Sequence, residues 1–309
     1  MNTVQKLKII KKISQKTQEE LAKELGVSFA TFNSWINGRS VPHASNQNAI
    51  DELYLDYSGE KSIPESELKA KSALIIKKSA KYKDITKHIK DNPDVYNELL
   101  LQITYNSNRI EGSTFTLAET ASVIFQNRII QNKDMREHLE AKNHQAAFDH
   151  VMNSVHKGFF IGEEFILGLH RILMNGIRAD AGSFRSHGVR IVGANVPTAN
   201  YMKVPELMTA LVEDIDSKTK PEDVVSKVSL AHSRFEKIHP FSDGNGRIGR
   251  LIMLAQLLKE NMPPAIIEDS EKQRYYSYLQ RSQIENNHAP LEDFIADAVL
   301  LGFDIIDRT

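Results

Sequence analysis

Ile238-His239-Pro240-Phe241-Ser242-Asp243-Gly244-Asn245-Gly246-Arg247-Ile248-Gly249-Arg250 is the stretch on which the reading of this chain turns. His239 is a candidate general base, and Asp243 a candidate metal ligand. Gly244-Asn245-Gly246 can offer backbone N–H groups to an anion, because glycine permits close approach. Arg247 and Arg250 stand three apart, so on a helix they share a face. The run from Leu251 to Leu258 is almost wholly apolar and reads as a buried helix. A glycine turn that opens such a helix aims its N-terminus, with its positive dipole end, at an anion. Phosphate chemistry beside a proton acceptor is the chemistry these residues suit. Phe241 is expected to point into the core and fix the turn.

Composition bounds the rest. With 309 residues the chain has room for more than one domain, one of them with a sizeable core. An apolar fraction of 41% and a charged fraction of 26% are ordinary for a globular protein. The net charge of −1 leaves no whole-molecule field to attract nucleic acid or membrane, so any such attraction is local. The absence of cysteine excludes disulfides, thiolate metal sites and cysteine nucleophiles. No apolar window has the length of a signal peptide or a membrane span. The expectation is a cytoplasmic protein with no membrane partner.

Upstream, residues 1–57 read as a small helical domain. Thr17-Gln18-Glu19-Glu20 is a capping box that starts a helix, and Gly26 ends it. A second helix runs from near Ser28 to Asn37, closed by Gly38 and Pro42. Two short helices about a tight glycine turn form a helix-turn-helix pattern. The segment TQEELAKELGVSFATFNSWINGRSVP resembles the Cro/repressor-like family, whose second helix enters the DNA major groove. That resemblance implies that Gln18, Ser28, Phe29, Thr31 and Asn33 face DNA and Arg39 a phosphate. Residues 1–45 carry seven Lys or Arg against three Glu, a local net of +4 that suits phosphate attraction. Ser28 to Asn37 contains neither Lys nor Arg, which favours a protein-interaction module instead. Residues 46–65 are polar, broken at Ser58-Gly59 and Ile63-Pro64, and read as a linker. The span 58–92 reads as linker and basic helix. Its residues 66–90 hold eight Lys against Glu67 and Asp84.

From residue 93 to 309 the pattern is helical almost throughout. A helix near 94–111 stops at Gly112, and Thr116-Leu117-Ala118-Glu119 caps the next. Further helices are expected over 142–153, 162–176, 204–217, 221–238, 270–286 and 290–305. The short alternation of Phe184 to Gly193 reads as a β-hairpin flap.

HPFSDGNGRIGR resembles the signature of the Fic family, H-x-F-x-D/E-G-N-G-R-x-x-R, with every fixed position filled. Leu169 to Leu173, Ala181 to Arg185, Val189 to Gly193 and Val204 to Met208 resemble the core of the same family. The resemblance implies an all-α fold: a Fic helical core with a small β-hairpin flap, preceded by the helix-turn-helix domain. It also implies transfer of AMP from ATP onto a hydroxyl of a protein, the chain itself included. On that reading His239 deprotonates the hydroxyl, and Asp243 holds Mg²⁺ or Mn²⁺. Gly244, Asn245 and Gly246 hold phosphate oxygens, and Arg247 and Arg250 fork onto the β- and γ-phosphates. Tyr275, Tyr276 and Tyr278 are candidates for walling the adenine by stacking, Tyr275 and Tyr278 before the third. Val189, Arg190, Ile191 and Val192 resemble the target-docking flap, which pairs a peptide by strand addition.

Ser107-Asn108-Arg109-Ile110-Glu111-Gly112 resembles the family's inhibitory motif, S/T-x-x-x-E-G/N. By that resemblance Glu111 pairs with Arg250 and displaces it from the γ-phosphate, while Ser107 orients Glu111. Two alternatives use the same residues. One is a DNA-binding regulator whose Fic core senses nucleotide. The other is a reversed reaction, with Glu111 orienting a water that removes AMP. Self-association is a further expectation from the family.

Overall fold

The computed structural model describes residues 1–190 and 196–308. Fifteen α-helices carry the described residues, and no strand occurs among them. They pack around two separate apolar clusters.

The first four helices build the smaller cluster. The cap at Thr17 starts α2 (Gln18–Glu24), with Glu20 returning a bond to the Thr17 backbone N–H at 2.7 Å. Ser28 caps α3 (Phe29–Ile36) by accepting from the Thr31 backbone N–H. Gly26 lies between them at φ +67, the left-handed conformation that a tight helix-to-helix turn requires. Two helices were not expected. α1 (Thr3–Ser14) buries Leu7 and Ile10, and α4 (Ala44–Ser58) buries Ile50, Leu53 and Tyr57. The stretch 46–65 is therefore largely helix rather than linker. Its apolar residues are sparse but spaced three and four apart, enough for one buried stripe.

The span 58–92, read as linker and basic helix, is helix over most of its length. It folds into α5 (Glu65–Ser79) and α6 (Ile85–Asp91), whose Ile75, Ile85 and Ile89 are fully buried in the larger cluster. Part of its basic face is consumed by ion pairs: Lys71 reaches Asp293 and Asp297, and Lys78 reaches Asp307 at 2.7 Å.

The larger cluster is arranged about one helix, α13 (Asn245–Lys259). Leu251, Ile252, Met253, Leu254, Ala255, Leu257 and Leu258 are all buried, so over this stretch the helix is buried on every side. Around it pack α7 (Pro93–Ile110), α9 (Met135–Ser154), α10 (Glu163–Leu173) and α12 (Val224–Ile238). The remaining elements are α8 (Leu117–Gln126), α11 (Val204–Asp216), α14 (Lys272–Glu285) and α15 (Ala289–Ile306). α12 runs into α13 through the turn His239–Gly244, so the signature motif lies between two core helices.

The flap expectation falls largely outside the described residues, since Ile191, Val192 and Gly193 lie in 191–195. Residues 184–190 form no strand. On either side of the undescribed residues, the Thr198 hydroxyl donates to the Val189 carbonyl at 2.9 Å.

Because Ile75 is fully buried in the larger cluster, Ile75→Ala is expected to lower stability by about 2–5 kcal/mol. Urea unfolding measures it. A loss under about 0.5 kcal/mol would return the span to a peripheral role.

Candidate active site

His239 caps the C-terminus of α12 in the left-handed region, at φ 52. Its Nδ1 lies 3.3 Å from the Glu236 carbonyl oxygen. A carbonyl neighbour places the ring proton on Nδ1, which leaves the Nε2 lone pair to accept. Burial lowers the imidazole pKa below its ordinary 6.5, so the ring is neutral at pH 7.

The turn that follows is held by buried polar side chains acting on backbone. Arg185 is 3% exposed. Its Nε donates to the His239 carbonyl at 2.7 Å, Nη1 to His187 at 2.7 Å and Nη2 to Ala199 at 2.5 Å. Its own N–H donates to the Pro240 carbonyl. His170 stacks on Phe241 at 3.8 Å between centroids. Its Nδ1 accepts from the Gly182 N–H at 2.8 Å, so Nε2 carries the proton and faces the Asp243 carbonyl at 3.1 Å. Burial holds this ring neutral, its pKa pushed down to about 4. Phe241 is fully buried, as its place in the turn suggested.

Asn245 differs from expectation. Its amide donates to the Phe241 carbonyl and accepts from the Phe241 N–H, both at 2.8 Å. The side chain clamps the turn and has no free face for a phosphate. What Asn245 can still offer an anion is its backbone N–H in the first turn of α13. Gly244 stands at φ +80, with Met174 Sδ 2.9 Å from where a Cβ would be.

Arg250 and Glu111 meet across 139 residues. Arg250 Nη2 donates to Glu111 Oε1 at 2.8 Å. The guanidinium side chain is 8% exposed and the carboxylate 32%. Burial works against the arginine's charge, but the Glu111 carboxylate outweighs it and the pKa rises above the ordinary value. Ser107 does not orient Glu111. It holds the arginine instead, its Oγ accepting from Nε at 2.9 Å and its carbonyl from Nη2 at 3.0 Å. Glu111 also lies against Gly246, where a Cβ would stand 2.2 Å from Oε1. Only glycine at 246 leaves room for this carboxylate over the start of α13.

The other candidates divide. Asp243 is partly exposed, and its Oδ2 accepts from Arg136 Nη2 at 2.8 Å. Among the described residues no cluster of three or more His, Asp or Glu has metal-site spacing. One hard carboxylate next to bound phosphates still fits Mg²⁺, which takes few protein ligands and keeps substrate oxygens and waters. Arg247 is buried, with Nη1 3.2 Å from Glu140, and its Nε has no protein partner, so it keeps donor capacity. Tyr275 and Tyr278 offer no stacking face. Tyr275 is 1% exposed with its hydroxyl 2.5 Å from His232 Nε2. Tyr278 bonds to Asp56 and packs edge-on to Phe294. Packing turned the helix so that Tyr276 is the open one, its hydroxyl reaching the Ile110 carbonyl beside Glu111. Of the flap residues, Val189 is half-buried and Arg190 exposed. Ile191 and Val192 lie outside the described residues.

In the smaller unit Phe29 and Arg39 are exposed, and Gln18 accepts from Asn33 Nδ2 at 2.9 Å. Ser28 and Thr31 are bound to each other in the helix cap. Lys8, Lys11 and Lys12 of α1 line a groove with Gln18 and Asn37.

Sequence reasoning assigns no role to His170, Arg185 or Glu236. A histidine on the apolar face of a helix looks like core, and an arginine 54 residues from the carbonyl it binds has no local signal. Glu236, fully buried one turn before His239, has its carboxyl raised to about 8 by burial.

Comparison with known proteins gives this geometry its relatives. Residues 160–257 match the sequence model of the Fic/DOC family. The chain is 33% identical over 215 residues to a protein of Aedes aegypti named Protein adenylyltransferase Fic, covering 67% of this chain and 42% of that protein. It thus spans less than half the length of the curated relatives it matches. Fic-1 from C. elegans superposes with a TM-score of 0.67 over 97% of this chain and 87% of that one, at 18% identity. A Fic-domain signaling protein from Bacteroides thetaiotaomicron superposes with a TM-score of 0.65 over 77% of this chain and 98% of that one, at 21% identity. The signature turn lies inside the matched span and the helical architecture agrees, so the chain belongs to the Fic/DOC family.

Proposed function

We propose that this chain is an autoinhibited protein adenylyltransferase that moves AMP from ATP onto a Ser, Thr or Tyr hydroxyl. The observation that carries the reading is the Glu111–Arg250 pair, seated over the start of α13 beside a neutral His239. The curated relatives bear the name of that activity.

The chemistry follows from the residues. The target hydroxyl gives its proton to His239 Nε2. Its oxygen forms a bond to the α-phosphorus of ATP, and the bond from that phosphorus to the bridging oxygen breaks, releasing pyrophosphate. First-turn N–H groups of α13 take phosphate oxygens, where charge develops. Asp243 would hold Mg²⁺ or Mn²⁺ against the phosphates, and that ion would neutralise charge on them. Arg250 serves the outer phosphate only when Glu111 has left it. Opposite unit charges about 4 Å apart attract by roughly 4 kcal/mol at an effective dielectric near 20, and desolvation reduces the net. The segment from Val189 to Val192 would receive the target backbone. Support comes from Arg185, which joins this segment's base to the His239 carbonyl.

One observation favours a second role. The groove with Lys8, Lys11 and Lys12 beside Gln18 places three positive charges next to the helix-turn-helix. DNA held there by its phosphates would leave sequence readout to Phe29, Thr31 and Asn33. A mobility shift with duplex DNA at low salt tests it, and no shift there removes the role.

His239→Ala is expected to reduce AMP transfer by about 10²–10⁴-fold. Glu111→Gly is expected to raise it by one to two orders of magnitude, about 1.4–2.8 kcal/mol of competition removed. Labelled ATP with Mg²⁺ or Mn²⁺ reads both. No adduct from the Glu111→Gly protein would refute the activity.

The pH dependence has a definite sign. Burial depresses the His239 pKa, so activity rises with pH through a value below the ordinary 6.5. A profile of kcat/KM against pH measures this, and an acid limb centred above 6.5 would contradict the assignment of His239 as base.

A further inference from the structure

The last turn of α7, which carries the Glu111 end, is held from outside by the α14 region. The Asp269 N–H donates to Asn106 Oδ1 at 3.0 Å. Arg109 Nε donates to Asp269 Oδ2 at 3.1 Å. The Tyr276 hydroxyl donates to the Ile110 carbonyl at 3.4 Å. Both partners, Asp269 and Tyr276, lie on α14 or on the 3-10 turn Asp269–Glu271 just before it.

The other face of the same helix is bonded to the small N-terminal unit. Arg274 is the hub. Its Nε lies 2.7 Å from Asp56, its Nη1 2.8 Å from Glu271, and its Nη2 pairs with Glu24 of α2. Its guanidinium carbon lies 4.7 Å from the centre of the Tyr57 ring. Ser277 Oγ donates to the Tyr57 carbonyl at 2.8 Å, and Arg281 Nε donates to the Ser58 carbonyl at 3.2 Å. The fit is close at Gly59, where a Cβ would stand 2.9 Å from Arg281 Cγ and 3.2 Å from the Ser277 carbonyl oxygen. Gly59 is also at φ +73, which a side chain would strain. One helix thus has the inhibitory turn on one side and the N-terminal unit on the other.

We propose that docking of the small N-terminal unit on α14 is a second lock on the Glu111–Arg250 pair. Docked, it holds Asp269 and Tyr276 against the last turn of α7, where Glu111 meets Arg250. Undocked, it loosens both contacts and frees Arg250 for a nucleotide. Whatever the N-terminal unit binds on its exposed face would then act on the site through this helix, if that binding alters docking. A double-mutant cycle with Glu111 measures that coupling.

The activity arm rests on the adenylyltransferase reading, whereas the binding arm does not. Two variants attack the interface from opposite sides: Arg274→Ala removes the hub, and Gly59→Ala wedges the small unit away. Each is expected to tighten binding of a non-hydrolysable ATP analogue about tenfold, by calorimetry on the full chain, and to raise AMP transfer by a similar factor. In the Glu111→Gly background each is expected to add nothing, because the lock it loosens is gone. If one variant fails to fold, by its melting curve, the other decides. Binding that tightens while Glu111→Gly yields no adduct supports the second lock and refutes the transfer reading. Binding unchanged from wild type, or a tenfold gain that persists in the Glu111→Gly background, overturns the second lock.

Discussion

The contact between Glu111 and Arg250 imposes conditions on three separate parts of the chain. α7 must end where its capping residue can reach α13. α13 must present a guanidinium one turn into its length. Position 246 must lack a Cβ, because the carboxylate occupies that space. A carboxylate and a phosphate ask for the same things, namely a forked cation and N–H groups at a helix start. A site built for one therefore accepts the other. Exclusion follows from charge and volume together, with no need for any deformation of the site.

The groups around this contact do little of their own chemistry on a ligand. Arg185, His170 and Asn245 each spend their polar atoms on backbone: the carbonyls of His239 and Asp243, and the Phe241 peptide. Buried polar atoms are costly when unpaired, so each of these side chains both needs and enforces the turn. The stacking of His170 on Phe241 adds a rigid floor. The left-handed His239 is held at both its Nδ1 and its carbonyl. Rigidity of this kind is what a base and a phosphate cradle require to stay in register.

The legible parts of this chain are the local ones. The signature turn is contiguous, so its residue types and the apolar run of α13 show plainly. The capping boxes at Thr17 and Thr116 are complete within four residues and start helices where expected. Contacts that depend on rotation about a helix were not legible. Three tyrosines in α14 look equivalent until packing turns Tyr275 and Tyr278 inward and leaves Tyr276 open. Ser107 faces Arg250 rather than Glu111 for the same reason. α1 and α4 were hidden because their few apolar residues stand among lysines and amides, and only the partner helix makes their stripe meaningful.

The unequal exposure of the pair bears on how it could open. A fully buried ion pair is costly to break from one side, about 3–5 kcal/mol, while an exposed one contributes 0–1 kcal/mol. Arg250 is buried and Glu111 about one-third exposed, so the pair falls between these limits. The glutamate is the half free to leave. It is the last residue before Gly112, which stands at φ +104, where the backbone of any other residue would be strained. A ligand at a hundred times its dissociation constant supplies about 2.7 kcal/mol, comparable to such an intermediate contact. An inhibitory carboxylate in this position is thus weak enough for a nucleotide to challenge, and neighbours that stiffen or loosen the end of α7 shift the outcome.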